Sequence, residues 1–456
     1  MAGRGLVEGG LVLGEDERKK LAKTVVDAAI SIYTIGMMKE CYAPVEVINQ
    51  WVPALAGFFP SLATSPLSWE DRHRAIAKLL YEVGLRLGGL AFKAMQFVGL
   101  RDDLPDGYKQ WFSKAQENTD FFSSEDHVKR VLGEFAPRLK WSFEPVKSAS
   151  IAQVHLNASW DGRPAIAKVQ HAHVKAEYAG DLKTMAELGR YVNKYPEATG
   201  AAVMLEALAL KLAPTVDMET DFNRERVNQE RARELFRTHD TDVVVAEVYA
   251  ASSEGLVMEK LEGITAAEAI AGWKQGGKND IFGRKQRDAV YSAFADMVLK
   301  HGFFQMDAHP GNLMILKDGR LALLDFGQCC EPTEEQRKRF QQFALMAPTS
   351  EEATQDSKKL RSWLSNMGIE VTEPKAATTA QMLFYGEKSS MFPDTDRIDP
   401  EIMPLLLIVL YLSRFENTVA QLRTQAGFQD TEDHFAVLRA FNKKAALVMP
   451  EAHTDL

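Results

Sequence analysis

The sequence predicts an α+β chain with two lobes, a small one built on a β-sheet with a helix and a mostly helical one, behind a helical N-terminal extension. Three observations carry this. The first 136 positions read as helices broken by a turn-rich stretch through Pro53, Pro60 and Pro66, residues 137–263 hold short β-prone runs around helical stretches, and residues 264–456 are mostly helical in period apart from one small hairpin. With about 150 residues as the usual scale of a domain, 456 residues have room for all three parts.

The elements follow in order. Leu21, Val25, Ala28, Ile32 and Ile35 place an amphipathic helix from Glu15 to about Met38. Ser68-Trp-Glu-Asp71 opens a long helix to about Val98, ended by Asp102-Asp103-Leu-Pro-Asp-Gly107. Further helices are expected over Tyr108–Asn118 and Glu125–Phe135. Past Pro137, the runs Ile151–His155 and Arg163–Gln170 read as a hairpin turning at Asp161-Gly162. Helices at Gly180–Lys194, Ala201–Ala213 and Val216–Leu235 precede two β-prone runs, Val243–Val248 and Gly255–Glu259. Asn312–Lys317 and Arg320–Leu324 form a second hairpin through Asp318-Gly319, and the polar stretch Pro348–Pro374 reads as a loop with a short helix.

Composition narrows the function classes. Hydrophobic residues at 46% and charged residues at 26% describe a globular chain and exclude wholesale disorder. Lys plus Arg (54) against Asp plus Glu (63) gives a net charge of −9, which argues against a dedicated nucleic-acid binder. Cys41 and the vicinal pair Cys329-Cys330 supply neither a disulfide framework nor a spaced metal cluster. Acidic residues mixed with basic ones in the first twenty positions fit neither a secretory signal nor a transit peptide. The apolar run Met403–Leu412 is about half of the roughly 20 residues that span a bilayer, so no transmembrane helix is expected.

Four constellations could carry chemistry. In Ala165-Ile-Ala-Lys168-Val-Gln170, strand alternation puts Ile166, Lys168 and Gln170 on one face. The lysine there either meets a phosphate or carboxylate or reaches solvent from an edge strand. On the following helix Asp221, Glu225 and Asn228 share a face and Glu219 points away; Glu225 is the carboxylate best placed to pair with a strand lysine. The third and fourth are Gln305-Met-Asp307-Ala-His-Pro-Gly-Asn312 and Leu323-Leu-Asp325-Phe-Gly327. Two carboxylates and an amide at this spacing offer the hard oxygen ligands and the base that metal-assisted phosphoryl transfer uses. Strand lysine, helix glutamate, Asp-x4-Asn and Asp-Phe-Gly in that order predict a protein-kinase-like fold.

Two features of ordinary protein kinases are missing. No glycine occurs between Gly133 and Gly162, so Ser148-Ala149-Ser150 stands where a glycine-rich strap would lie, and Gln305-Met306 precedes Asp307 in place of His-Arg. Lys147–His155, Ala167-Lys168-Val-Gln170, Glu219-x-Asp221 with Glu225-x-x-Asn228, Asp307-x-His-Pro-Gly-Asn312 and Leu324-Asp325-Phe-Gly327 together resemble the UbiB family of atypical kinases. Upstream, Gly89-Leu-Ala-Phe-Lys93-Ala-Met-Gln96 is similar to the family's Lys-x-Gly-Gln signature helix, with Met95 in place of its glycine.

The resemblance implies an ATP-binding, Mg-dependent atypical kinase or ATPase linked to ubiquinone or other prenyl-lipid metabolism. Mitochondrial or plastid residence, peripheral membrane contact and quinone-biosynthesis enzymes as partners are implied with it. By the same resemblance Lys168 contacts the α/β-phosphates and pairs with Glu225, Asn312 and Asp325 hold Mg, and Asp307 occupies the base position. Ser148, Ala149, Ser150 and Met258 are expected along the nucleotide. Lys93 and Gln96 of the signature helix, with Glu219 facing Lys93, form a regulatory contact. The rival expectation is a non-catalytic nucleotide- or lipid-binding scaffold for partner enzymes.

Overall fold

The computed structural model describes residues 122–144, 147–148, 151–172, 174, 220–238, 242–366, 368–374, 376–377, 379–380 and 397–449, with single positions at 74, 77, 78, 81, 110 and 111. The helices expected upstream of residue 120 and between 180 and 213 lie outside these residues, apart from those single positions. The chain divides into two compact units: Met1–Ala136 with Trp141–Leu156 and Lys168–Thr220, and Pro137–Lys140 with Asn157–Ala167 and Asp221–Leu456.

In the first unit, helix α1 (Glu125–Gly133) starts where the Ser124 hydroxyl accepts the His127 N–H, and Glu125 and Asp126 complement the positive end of its dipole. Val128, Val131 and Leu132 form its buried stripe. A two-residue strand, Lys147–Ser148, pairs antiparallel with the start of Ala152–Trp160 through the rungs Lys147↔Val154 and Ser148↔Gln153. The longer strand turns at Asp161-Gly162 into Arg163–Gln170, as the sequence predicts. Asp161 and Gly162 both take positive φ, 50° and 82°, a turn for which glycine and aspartate are suited.

These strands belong to a six-stranded sheet in which five run in the order β1-β3-β4-β7-β6 and the Lys147–Ser148 strand, β2, pairs with β3 off that path; β1 is Leu139–Trp141, β3 and β4 are the hairpin, β6 is Val248–Ala251 and β7 is Gly255–Glu259. Helix α2 (Phe222–Thr238) packs on β6 and β7. Val243–Val248, expected as one run, is two strands in two sheets. Its first part, β5 (Val243–Val245), pairs parallel with Leu321–Leu323. The ladder breaks because side chains claim the intervening backbone: Gln229 Nε2 donates to the Ala246 carbonyl at 2.9 Å, and Glu247 N–H donates to Glu259 Oε2 at 3.1 Å.

The helical remainder surrounds an aromatic core of Phe294, Phe303, Phe304, Phe340, Phe343 and Trp363, each at most 2% exposed. Two helices dominate it, Met403–Gln425 and Ala436–Val448. The first, longer than its apolar run suggested, is by length and composition able to cross a bilayer, yet 59% of its most apolar window is buried inside the protein. Leu405, Ile408, Val409, Leu412 and Val419 line that buried face. The same helix carries Glu416 into a buried ionic network. Arg287 donates Nε to Glu416 at 2.8 Å and Nη1 and Nη2 to Asp430, each at 2.8 Å. Arg423 bonds Asp430 at 2.7 Å, and Tyr291 Oη donates to Glu416 at 2.6 Å. Arg287 is fully buried and Glu416 is 1% exposed, so each ion depends on the others for the solvation it has lost.

Candidate functional site

A two-stranded ribbon assembles the site in the second unit. Phe304–Gln305 pairs antiparallel with Cys329–Cys330 through the rungs Gln305↔Cys329 and Phe304↔Cys330. Asp307 leaves the ribbon two residues after Gln305 and Asp325 rejoins it four before Cys329, so ribbon pairing brings the third and fourth constellations to one end. Between them, Leu313–Leu316 and Leu321–Leu323 form the expected hairpin, with Gly319 at φ 89°.

Hydrogen bonds fix the polar groups there. Asn312 Nδ2 donates to the Asp307 carbonyl at 3.1 Å and to its Oδ2 at 3.2 Å, which leaves Asn312 Oδ1 available as a hard oxygen ligand. His309 Nδ1 accepts the Gly311 N–H at 3.0 Å and shapes the short 3₁₀ turn Pro310–Asn312; its proton is therefore on Nε2. Asp325 adopts φ 60°, a strained conformation for a residue with a Cβ, and its Oδ1 accepts the Gly327 N–H at 3.1 Å. A Cβ at Gly327 would stand 3.2 Å from Asp325 Oδ1 and 3.7 Å from Glu225 Oε2, so both carboxylates flank that glycine.

Glu225 is 2% exposed, unlike the solvated residue usual on a charged helix. Asp221, expected on the same helical face, precedes the helix instead and accepts both the Asn223 N–H and the Asn223 side-chain amide at 3.0 Å. A short polar side chain satisfies free N–H groups at a helix start better than it serves mid-helix. Asn228 donates to the Phe326 carbonyl at 3.0 Å. Met258, 7% exposed, is held by Gln229 Nε2, 3.7 Å from its sulfur. Burial and the nearby Asp325 and Glu225 charges raise the Cys329 thiol well above its ordinary pKa, which leaves it a poor nucleophile. Burial and the charge of Asp307 likewise raise the Tyr411 phenol.

Lys168 belongs to the first unit. Alternation holds on its strand from Ala165 to Val169, where Ala165, Ala167 and Val169 are fully buried and Ile166 and Lys168 half-buried, but Gln170, expected on the Lys168 face, is 3% exposed and breaks the pattern at the strand's end. Ser148 has its backbone paired opposite Gln153. Lys93, Gln96, Ala149, Ser150 and Glu219 lie outside the described residues. Gln305 is the residue that sequence reasoning undervalued, having marked it only as a departure. Fully buried, it donates Nε2 to the carbonyls of Leu324 and Asp325, each at 2.5 Å, and so clamps the strained aspartate from behind.

Among the described residues no cluster of three His, Cys, Asp or Glu side chains could hold a metal by itself. The donor set of Asn312 Oδ1 and the Asp325 carboxylate nevertheless fits a hard cation that takes its other ligands from a bound phosphate.

Residues 125–359 match the ABC1 atypical kinase-like domain. Protein ACTIVITY OF BC1 COMPLEX KINASE 8, chloroplastic, of Arabidopsis thaliana is 30% identical over 267 residues, 56% of this chain and 34% of that protein. The uncharacterized protein sll1770 of Synechocystis is 30% identical over 280 residues, 59% of this chain and 47% of the relative. The chain thus spans about a third to a half of the length of these curated relatives. A solved structure of Rv3197 with erythromycin from Mycobacterium tuberculosis aligns with 80% of this chain and 98% of its own, at 20% identity and a TM-score of 0.47. The family-model match makes the chain kinase-like, and its sheets and helices make it α+β.

Proposed function

The chain belongs to the ABC1 atypical kinase-like family, and on that premise we propose that it binds MgATP and either hydrolyses it or passes its γ-phosphate to an acceptor. The observation that supports this best is the ribbon end, where Asn312 orients Asp307 while Gln305 and the Gly327 N–H orient Asp325. Such positioning is most of what phosphoryl transfer asks of a protein, because the reaction needs little covalent help.

In this reading Lys168 neutralises the α/β-phosphates and Glu225 is its partner. Ser148, Ala149, Ser150 and Met258 border the nucleotide. Asp325 and Asn312 would hold a divalent cation, which when bound supplies charge neutralisation to the phosphates. Asp307 accepts the proton of the attacking water or acceptor hydroxyl as the new O–P bond forms and the bond to ADP breaks. Lys93, Gln96 and Glu219 take regulatory roles in this reading.

A role in prenyl-lipid or quinone metabolism beside its biosynthetic enzymes, at a membrane surface in a plastid or mitochondrion, is the setting we propose. Relatives named chloroplastic support the plastid. Steady ATP hydrolysis by the purified chain that disappears in Asp307→Asn is the expected result. Nucleotide binding with no turnover in the wild type would reject the enzyme and favour a scaffold.

A further inference from the structure

The ribbon that carries the site is held by backbone at one end and by a side chain at the other. Toward the site, the Met306 N–H donates to the Gln328 carbonyl at 2.9 Å. Hydrogen-bonded positions alternate along an antiparallel pair, so 306–328 and 304–330 are such positions and the next would be 302–332. That rung cannot form. Pro332 has no N–H, and the N–H groups of Gly302 and Phe303 both go to the Met297 carbonyl of the preceding helical turn, the latter at 3.2 Å. The ladder therefore stops at Phe304 and Cys330. Beyond it Phe303 and Glu331 face each other at a position where the pattern places no backbone bond.

Arg231 of α2 spans this gap. Its guanidinium lies over the fully buried Phe303 ring, 4.3 Å from the centroid, and Nη1 donates to Glu331 Oε1 at 2.5 Å. Three residues earlier Asn228 holds the Phe326 carbonyl, and three before that Glu225 lies beside Gly327. Glu225, Asn228 and Arg231 thus run down one side of the helix at i, i+3 and i+6 and meet successive parts of segment 326–331. The Arg231–Glu331 side chains are 41% and 62% exposed, so their ion pair adds little to stability. What it adds is alignment, because one planar, rigid group engages a residue from each side of the ribbon.

We infer that Arg231 is a positioning residue: bridging Phe303 and Glu331 where the ladder stops, it fixes the strand that leads to Asp307 against the strand that follows Asp325. The inference rests on the phosphoryl-transfer reading given above. Asp307 stands four residues after Phe303 and Asp325 six before Glu331, so a splay at the bridge is carried along a short ribbon to the site. Asn228 already fastens the Asp325 side, and the freed side would be the one that delivers Asp307. That base acts in the transition state, so its displacement falls on kcat more than on nucleotide affinity. Arg231 itself touches neither nucleotide nor cation in this scheme.

The test uses the full chain and two readouts. Cys329 is 6% exposed and its thiol donates to the Phe326 carbonyl at 3.4 Å, so iodoacetamide reaches it only when the ribbon opens. Its alkylation rate, read from the mass of its peptide, reports closure without any turnover. Arg231→Met, which keeps an apolar stem over Phe303 and removes the charged fork, should speed that alkylation about fivefold at an unchanged melting temperature. The same variant should lower kcat for ATP about tenfold with KM within about twofold, and Arg231→Lys, which keeps a cation over the ring, should recover part of both changes. An unchanged Cys329 rate in Arg231→Met overturns the bridge. A kcat left at the wild-type value, or one that only follows a fall in melting temperature and is not recovered by Arg231→Lys, overturns the positioning role. A wild-type chain with no ATP turnover would defeat the function proposed above and the positioning role with it, while the Cys329 rate would still decide whether Arg231 closes the ribbon.

Discussion

Asn228 and Phe326 are 98 residues apart in sequence and joined by a single hydrogen bond, in which the Asn228 side-chain amide donates to the Phe326 carbonyl at 3.0 Å. The bond ties the helix that carries Glu225 to the Phe326–Gly327 peptide of the Asp-Phe-Gly segment. Asn228→Leu should therefore cost about 1 kcal/mol in chemical denaturation, the usual net value of one hydrogen bond. Turnover should fall by more than that loss of stability would explain, because the variant frees the Asp325-Phe-Gly backbone. Equal activity per folded molecule would show that the tether is only structural.

Asp325 is the proposed cation ligand that reaches the phosphates. Asp325→Asn should abolish the rise in melting temperature that MgATP gives the wild type, a rise that corresponds to about 2.7 kcal/mol at one hundred times the dissociation constant. A shift of undiminished size in the mutant would remove Asp325 from the cation site.

Lys168 and Glu225 should behave as one unit. Lys168→Ala and Glu225→Ala should each depress ATP turnover, and the double variant should lose much less than the two losses combined. Strictly additive losses would mean that the lysine and the glutamate serve separate ends.

Burial depresses the pKa of His155, against the opposing hydrogen bond to Ser142. The sign follows: below about pH 6.5, the ordinary histidine value, the unfolded chain takes up a proton that the folded one refuses. Stability is thus lost as pH falls through that range, by at most about 1.4 kcal/mol per pH unit. Denaturation curves between about pH 5 and about pH 7.5 should show a shallower slope for His155→Asn than for the wild type. Parallel slopes would place the proton on other groups.

Much of the site was legible because its chemistry is short-range in sequence. Asp307-x4-Asn312 and Asp325-x-Gly327 are local constellations, and the lysine strand declares itself by placing one charge in an apolar run. The role of Gln305 was not legible. It is an uncharged amide whose partners, Leu324 and Asp325, are chosen by pairing across strands rather than by spacing. Asp221 misled for the opposite reason: 100° periodicity assigns it to a face, whereas it lies just before the helix and its short carboxylate accepts the Asn223 N–H at the helix start. The split of Val243–Val248 between two sheets was hidden for a similar cause, since nothing in six β-prone residues announces that Gln229 and Glu259 will occupy the middle of the run.

The Arg287 network sets the smallest piece of this chain that can stand alone. The segment that matches the family ends at residue 359 and includes Arg287, whereas Glu416 and Asp430, its counter-charges, lie beyond that boundary. A fragment cut at the boundary would expose the aromatic core and strand a buried guanidinium with neither carboxylate, a loss of about 3–5 kcal/mol for the broken pair alone. Expression of residues 125–359 by themselves is thus expected to give aggregated protein. For the second unit, recognisable ancestry and autonomous folding have different edges.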